Sequence, residues 1–213
     1  MEKNLRSHWE NIYLTKQPDQ VSWTQAVPEI SLEFIRKFNL SKDSGIIDIG
    51  GGDSRLVDYL LDEGYSDISV LDISEAAIER TKKRLGERAG KVKWIISDII
   101  DFMPARQYVL WHDRAAFHFQ TDLNDIENYL SKLKNAVSGY VVIGTFSTDG
   151  PKKCSGLEIK QYDENGLKEI FKRFGFNATE CKRENHITPS GAIQNFVFCS
   201  FENSKSSDLV EKI

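Results

Sequence analysis

The chain has 213 residues, 40% hydrophobic and 28% charged, with a formal net charge of −4 and a pI near 5.7. That length supplies one sizeable core and falls short of two comfortable domains. No stretch approaches the ~20 apolar residues that span a bilayer, residues 1–6 lack the apolar run of a secretory leader, and no basic stripe offers phosphate contacts to a nucleic acid. The expectation is a cytoplasmic protein, without a membrane span and without nucleic acid as its favoured partner.

Residues 5–16 carry Leu5, Trp9, Ile12 and Tyr13 at helical spacing. Residues 28–38 open with Pro28 at a helix start and repeat Ile30, Phe34, Ile35 and Phe38. Val21-Ser22-Trp23 connects them as an extended segment. An alternation then begins. Residues 45–49 read as a short buried strand, 54–61 as a helix and 68–72 as a second strand. Ser74 caps a helix that runs to about Gly90. Residues 92–97 and 108–111 are strands three and four, 123–136 a helix, 140–146 a strand rich in Val and Ile, and 164–174 a helix ended by Gly175. Residues 177–183 and 194–201 have no helix between them, so they should pair as a hairpin. Near-continuous apolar strands alternating with helices imply a parallel sheet covered on both faces. The expected fold is therefore α/β and three-layered, a mostly parallel seven-stranded sheet with one antiparallel hairpin strand at its C-terminal end. The expected organisation is one domain over 1–202, with 1–40 as a helical cap and 41–202 as the ligand-binding core, followed by a polar tail over 203–213.

Cys154, Cys181 and Cys199 are odd in number and far apart, and reduced thiols are the expectation. The four histidines, at 8, 112, 118 and 186, form no metal-ligand spacing, so no metal is expected.

In an open parallel sheet the ligand lies at the carboxyl ends of the strands, where the strand order reverses. There the chain places Asp48-Ile49-Gly50-Gly51-Gly52-Asp53-Ser54, a glycine turn between a strand and a helix. Glycines allow positive φ and close approach of backbone to a ligand, and the N–H groups at the helix start can bind a carboxylate. Asp72 closes the next strand, where a carboxylate can accept both ribose hydroxyls of an adenosine. A dinucleotide would require a third packing glycine, and that position holds Arg55. Asp48, inside the strand, suits a ligand with a cationic amino group. S-adenosyl-L-methionine (SAM) carries an amino acid, a ribose and an adenine, and NAD has no such ammonium.

Asp48-Ile49-Gly50-Gly51-Gly52 together with Asp72 resembles the first two motifs of the class I (Rossmann-like) SAM-dependent methyltransferases. The resemblance covers roughly residues 45–201 in order and type of elements, with Ser54 where the family has a third glycine. The segments 111–119, 149–157 and 194–196 are similar to a largely uncharacterised group of bacterial methyltransferases. The front segment, residues 8–13 and 21–23, resembles the cap of small-molecule and protein-lysine methyltransferases. The resemblance implies SAM as cofactor and S-adenosyl-L-homocysteine (SAH) as product. It puts Asp48 at the methionine ammonium, directly or through water, Gly50 and Gly52 along the methionine, Asp72 at the ribose, and Asp98 and Ile99 beside the adenine, with Gly51 and Ile73 also counted in the cofactor site. An ordinary capping acid is the alternative for Asp98. Trp9, Tyr13 and Trp23 would cover the crevice as a lid, or simply form the apolar face of a docked helix.

Methyl transfer requires the acceptor to be held in line with a sulfonium methyl and water to be excluded. The segment 111–119 leaves strand four at the crevice, and His112 or Asp113 is the expected positioning group or base, with Phe117 as pocket wall. The competing reading makes Asp113 and Arg114 a structural ion pair. The loop 146–157 is a second candidate for acceptor contact, through Lys152 or Lys153, with a solvated surface as the preferred reading of the two lysines. The expected reaction is methyl transfer to nitrogen, oxygen or sulfur on a small molecule or a protein side chain. A SAM-binding sensor without catalysis is the alternative, and a nicotinamide-dependent oxidoreductase is disfavoured by Arg55.

Overall fold

The computed structural model describes residues 5–204. Helix α1 (Leu5–Thr15) and helix α2 (Glu29–Lys37) precede the alternation β1 (Ile46–Ile49), α3 (Leu56–Asp62), β2 (Ile68–Asp72), α4 (Glu75–Leu85), β3 (Val92–Ile96), β4 (Tyr108–Arg114), α5 (Leu123–Ala136) and β5 (Val137–Phe146). A two-residue ribbon, β6 (Lys153–Cys154) and β7 (Leu157–Glu158), follows. Helix α6 (Glu164–Lys172) and the long hairpin β8 (Phe176–Ile187) and β9 (Ile193–Asn203) complete the chain. Strand β9 runs through Asn203, which the sequence reading assigns to the tail, and residues 205–213 of that tail lie outside the described residues. Among the described residues no helix is long and apolar enough to cross a membrane.

The sheet order is β3-β2-β1-β4-β5-β9-β8. Strands β1 to β5 are parallel, and β9 alone runs antiparallel to its neighbours β5 and β8. The order reverses between β1 and β4, which opens the ligand crevice at their carboxyl ends. Period-two alternation assigns the two faces. Ile47, Ile49, Trp111, Val141 and Ile143 pack with α5 and α6. Ile46, Val70, Leu110, Val142 and Phe198 pack with α2 and α3 on the other face.

Two local expectations change. Strand β4 extends to Arg114 rather than ending at Trp111, because His112, Asp113 and Arg114 pair with Val142, Ile143 and Gly144 of β5. Cys181 and Cys199 form a disulfide rather than standing as reduced thiols. They are direct cross-strand partners in the β8–β9 hairpin, and antiparallel register decides which side chains face each other, whatever their distance in sequence.

Candidate active site

The crevice runs along the carboxyl edge of β3, β2, β1 and β4 and encloses about 270 Å³. Its first wall is the turn after β1. Gly50 has φ +65°, and a Cβ there would come within 2.9 Å of the Ala116 Cβ. At Gly51 a Cβ would collide with the Asp48 carboxylate, and at Gly52 with the Asp72 carboxylate and Ala77. The glycines thus let two buried carboxylates press against the turn. Ser54, in the family's third glycine position, keeps the turn intact. Its N–H donates to the Gly51 carbonyl at 2.8 Å, and its hydroxyl accepts the Leu56 N–H at 3.1 Å.

Asp48 is 2% exposed. Its Oδ1 pairs with His112 Nδ1 at 2.7 Å, and its Oδ2 is buried without a hydrogen-bond partner. His112 Nε2 meets Ser31 Oγ at 2.8 Å, so both ring nitrogens are engaged. Asp72 accepts the Gly52 N–H at 2.9 Å and the Ser74 N–H at 2.8 Å. Burial outweighs those bonds and pushes its pKa up to about 6. Asp98 accepts the Ile100 N–H at 3.0 Å, the capping bond of its alternative reading, and also lines the crevice.

The front segment closes the crevice. Glu10 of α1 accepts the Ser74 hydroxyl at 2.8 Å and the Ala76 N–H at 3.1 Å, which caps the N-terminus of α4. Arg80 of α4 donates to the carbonyls of Tyr13 and Lys16 and pairs with Asp53. The Trp9 ring meets Trp23 at 5.5 Å and Phe119 at 5.3 Å, joining α1, the connector before α2 and the loop after β4. His186, at the end of β8, bonds the Ser22 carbonyl at 2.6 Å and holds that connector.

Of the residues expected at the cofactor, Asp48, Gly50, Gly51, Asp72, Ile73, Asp98, Ile99, Trp9, Tyr13 and Trp23 all line the crevice. Gly52 instead lies behind it, bonded to Asp72. Of the three expected at the chemistry, only His112 lines it. Asp113 and Phe117 are fully buried on the opposite face of the sheet, in the α5 and α6 core. Asp113 accepts the Ala116 and Phe117 N–H groups and the Tyr129 hydroxyl at 2.6 Å. Alternation along β4 makes this inevitable: if His112 faces Asp48, Asp113 faces away. For the same reason Asp113 and Arg114 form no ion pair. Lys153 pairs with Glu158 on the surface, and from the loop 146–157 only Cys154 reaches the crevice. Burial pushes that thiol up to about 12. Sequence reasoning missed Ser31 and Glu10, since neither belongs to a local motif and both act across more than sixty residues.

Residues 46–138 match the family described as Methyltransferase domain. A 92-residue stretch is 30% identical to the eEF1A lysine and N-terminal methyltransferase of Mus musculus, covering 43% of this chain and 13% of that protein. The matched stretch therefore spans about an eighth of that relative's length. Two solved structures match over nearly the whole chain. One, from work on the conversion of a disulfide bond into a thioacetal group during echinomycin biosynthesis, has a TM-score of 0.75 and 16% identity, covering 97% of this chain and 96% of that one. The other is the Burkholderia thailandensis 1,6-didemethyltoxoflavin-N1-methyltransferase with its substrate and SAH bound, with a TM-score of 0.71 and 16% identity, covering 94% and 87%.

Residues 46–138 thus match a methyltransferase domain, and the chain has the Rossmann-like fold of the solved methyltransferase it resembles. The crevice fits SAM, the cofactor implied by the sequence motifs, on its own geometry. The unpartnered buried oxygen of Asp48 calls for a hydrogen-bond donor, and carboxylates on β1, on β2 and just after β3 match a ligand with an ammonium, a ribose and an adenine amino group.

Proposed function

We propose that the protein transfers the methyl group of SAM to a nitrogen, oxygen or sulfur atom of a small-molecule acceptor. The observation that carries this reading is the closure of the crevice by α1 and the connector before α2, through Trp9, Trp23 and Phe119. A crevice of about 270 Å³ partly covered by aromatic rings suits a compact acceptor better than a folded protein surface. The full-length structural match to an enzyme with a small heterocyclic substrate supports the same choice, whereas the match to the protein methyltransferase covers 43% of this chain.

In this reading Asp48 Oδ2 receives the methionine ammonium, Asp72 the ribose hydroxyls, and Ile73, Asp98 and Ile99 flank the adenine. Gly50 and Gly51 bring the backbone against the methionine. Bound SAM supplies an electrophilic methyl on a sulfonium, so the protein's task is alignment and exclusion of water. His112 acts as a positioning residue. It fixes Asp48 through Nδ1 and is itself fixed by Ser31 through Nε2.

Calorimetry with SAM and SAH tests the cofactor step, and binding of neither by the purified protein would overturn it. Labelled SAM incubated with a lysate divided into protein and small-molecule pools tests the acceptor. Label in the small-molecule pool is expected. Label confined to protein would reverse the choice, and no transfer beside intact SAM binding would favour the sensor alternative.

A further inference from the structure

Arg114 is the last residue of β4 and lines the crevice on the same face as His112. Its side chain is held from two sides. Nη1 donates to the Trp23 carbonyl at 2.9 Å, and the guanidinium lies over the Phe196 ring, 4.8 Å from its centroid. The remaining nitrogens, Nε and Nη2, are buried and have no hydrogen-bond partner. They form one edge of the guanidinium, two parallel donors whose spacing matches the two oxygens of a carboxylate. Buried charged donors without partners are rare, since each carries a desolvation cost.

The neighbours do not satisfy this edge. Glu184 on β8 is the carboxylate whose charge acts most strongly on Arg114, yet its Oε1 takes the Gln25 amide at 3.2 Å and its Oε2 is also without a partner. Cys154, the next group whose charge would act on it, is held as a neutral thiol by burial. His118, whose pKa burial and Arg114 push down to about 3, is uncharged. Of the other arginines that line the crevice, Arg80 pairs with Asp53 and Arg84 with Asp53 and Asp58, while Arg55 is an exposed residue at the start of α3, on the cofactor side. Asp48 on the neighbouring strand β1 is near enough for its charge to act on Arg114, but its Oδ1 is taken by His112 and no hydrogen bond joins it to the guanidinium edge on β4.

We propose that the Nε–Nη2 edge of Arg114 anchors a carboxylate of the methyl acceptor, so that the substrates are small anionic molecules. The inference rests on the methyl-transfer reading and adds the acceptor class to it. The bidentate pair orients the acceptor as well as binding it, and the buried setting keeps water from competing for the edge. The Trp23 carbonyl that orients Arg114 belongs to the covering connector, so the segment that covers the crevice also orients the anchor.

The matched pair benzoate and benzamide, equal in shape and different in charge, provides the probe. Saturation-transfer NMR titrations are run on the SAH-loaded protein and repeated on the apo protein. Benzoate should bind at least about tenfold more tightly than benzamide, and Arg114→Met should abolish that preference while SAH affinity stays within about threefold by calorimetry. Should Arg114→Met fail to fold, Arg114→Lys keeps the charge and removes the two-donor edge, and the preference should still fall. No preference in the wild type, or an unchanged preference in the variant that folds, overturns the proposal. So does a tenfold loss of SAH affinity in the variant, which would assign the edge to the cofactor's own carboxylate. Failure of the wild type to bind SAH overturns the methyl-transfer reading instead, and the apo titration then still decides whether Arg114 selects a carboxylate.

Discussion

Across the carboxyl edge of the sheet, the β1–β3 end of the crevice presents Asp48, Asp72 and Asp98, while the β4 end presents His112 and Arg114 beneath Trp23. The first end is assembled from short contiguous stretches, a strand, its turn and the tip of the next strand. The second is assembled from α2, β4, the ribbon after β5 and the terminal hairpin, which meet only in the folded chain. The first end sets the carboxylates of Asp48, Asp72 and Asp98 along the crevice, with Arg80 and Arg84 paired to Asp53 beside them. The second offers an unpaired cationic edge. On the proposed assignment, the difference teaches that the cofactor end is a local property of sequence, whereas the acceptor end is a property of the tertiary fold.

The sharpest way to break this division lies behind it, at Asp113. If the site lies only on the His112 face, Asp113 is structural. Asp113→Ala strands the Ala116 and Phe117 N–H groups and the Tyr129 hydroxyl in the core, and should cost about 3–5 kcal/mol of stability in denaturant titrations. The fraction that remains folded should bind SAH as the wild type does. A stable variant with lost turnover would return Asp113 to the chemistry.

Asp72→Asn tests the cofactor end. It should weaken SAH on the order of 10–100-fold, the effect of removing a charged acceptor from buried hydrogen bonds, with benzoate binding at the β4 end unchanged. Equal losses for both ligands would mean that the two ends are not separable. The wild type carries a milder version of the same test. Asp72 titrates at about 6 because it is buried, and an acid with a raised pKa loses its charge as pH falls through that value. The ionised form is the one that accepts hydroxyls, so SAH affinity should be flat above pH 7 and fall about tenfold by pH 5. A flat profile down to pH 5 would remove Asp72 from the ribose site.

How much of this was legible follows the same division. The strands and the Asp48 to Asp72 stretch could be read because apolar runs, glycines and strand-end acids lie next to one another in the chain. Helix α5 was readable to the residue, with Asp122 capping its start at 2.8 Å. The face of each β4 residue was not readable while the strand was ended at Trp111, since the alternation that separates His112 from Asp113 depends on the strand continuing. The Cys181–Cys199 bond depends on hairpin register, and the Arg114 site on contacts to Trp23 and Phe196, 91 residues before it and 82 after it. No local pattern encodes such distances.

His112 is the joint between the two ends, and the smallest expected effect belongs to it. It stands on β4, in register with Asp48 of β1, and joins that carboxylate to Ser31 of α2. If it is a positioning residue, replacing it removes one hydrogen bond from Asp48 and leaves the carboxylate free to reorient. His112→Asn should then weaken SAH about fivefold, the value of one ordinary hydrogen bond, and raise the KM for SAM by a similar factor. The pH dependence of kcat should keep its shape. A general base behaves in the opposite way, with SAH affinity untouched and one limb of the kcat profile lost. Ser31→Ala separates the two further. It removes the group that fixes the far nitrogen of His112, so a positioning role predicts a loss of SAH affinity in the same direction and smaller. A base would instead gain freedom at Nε2, and kcat would hold or rise.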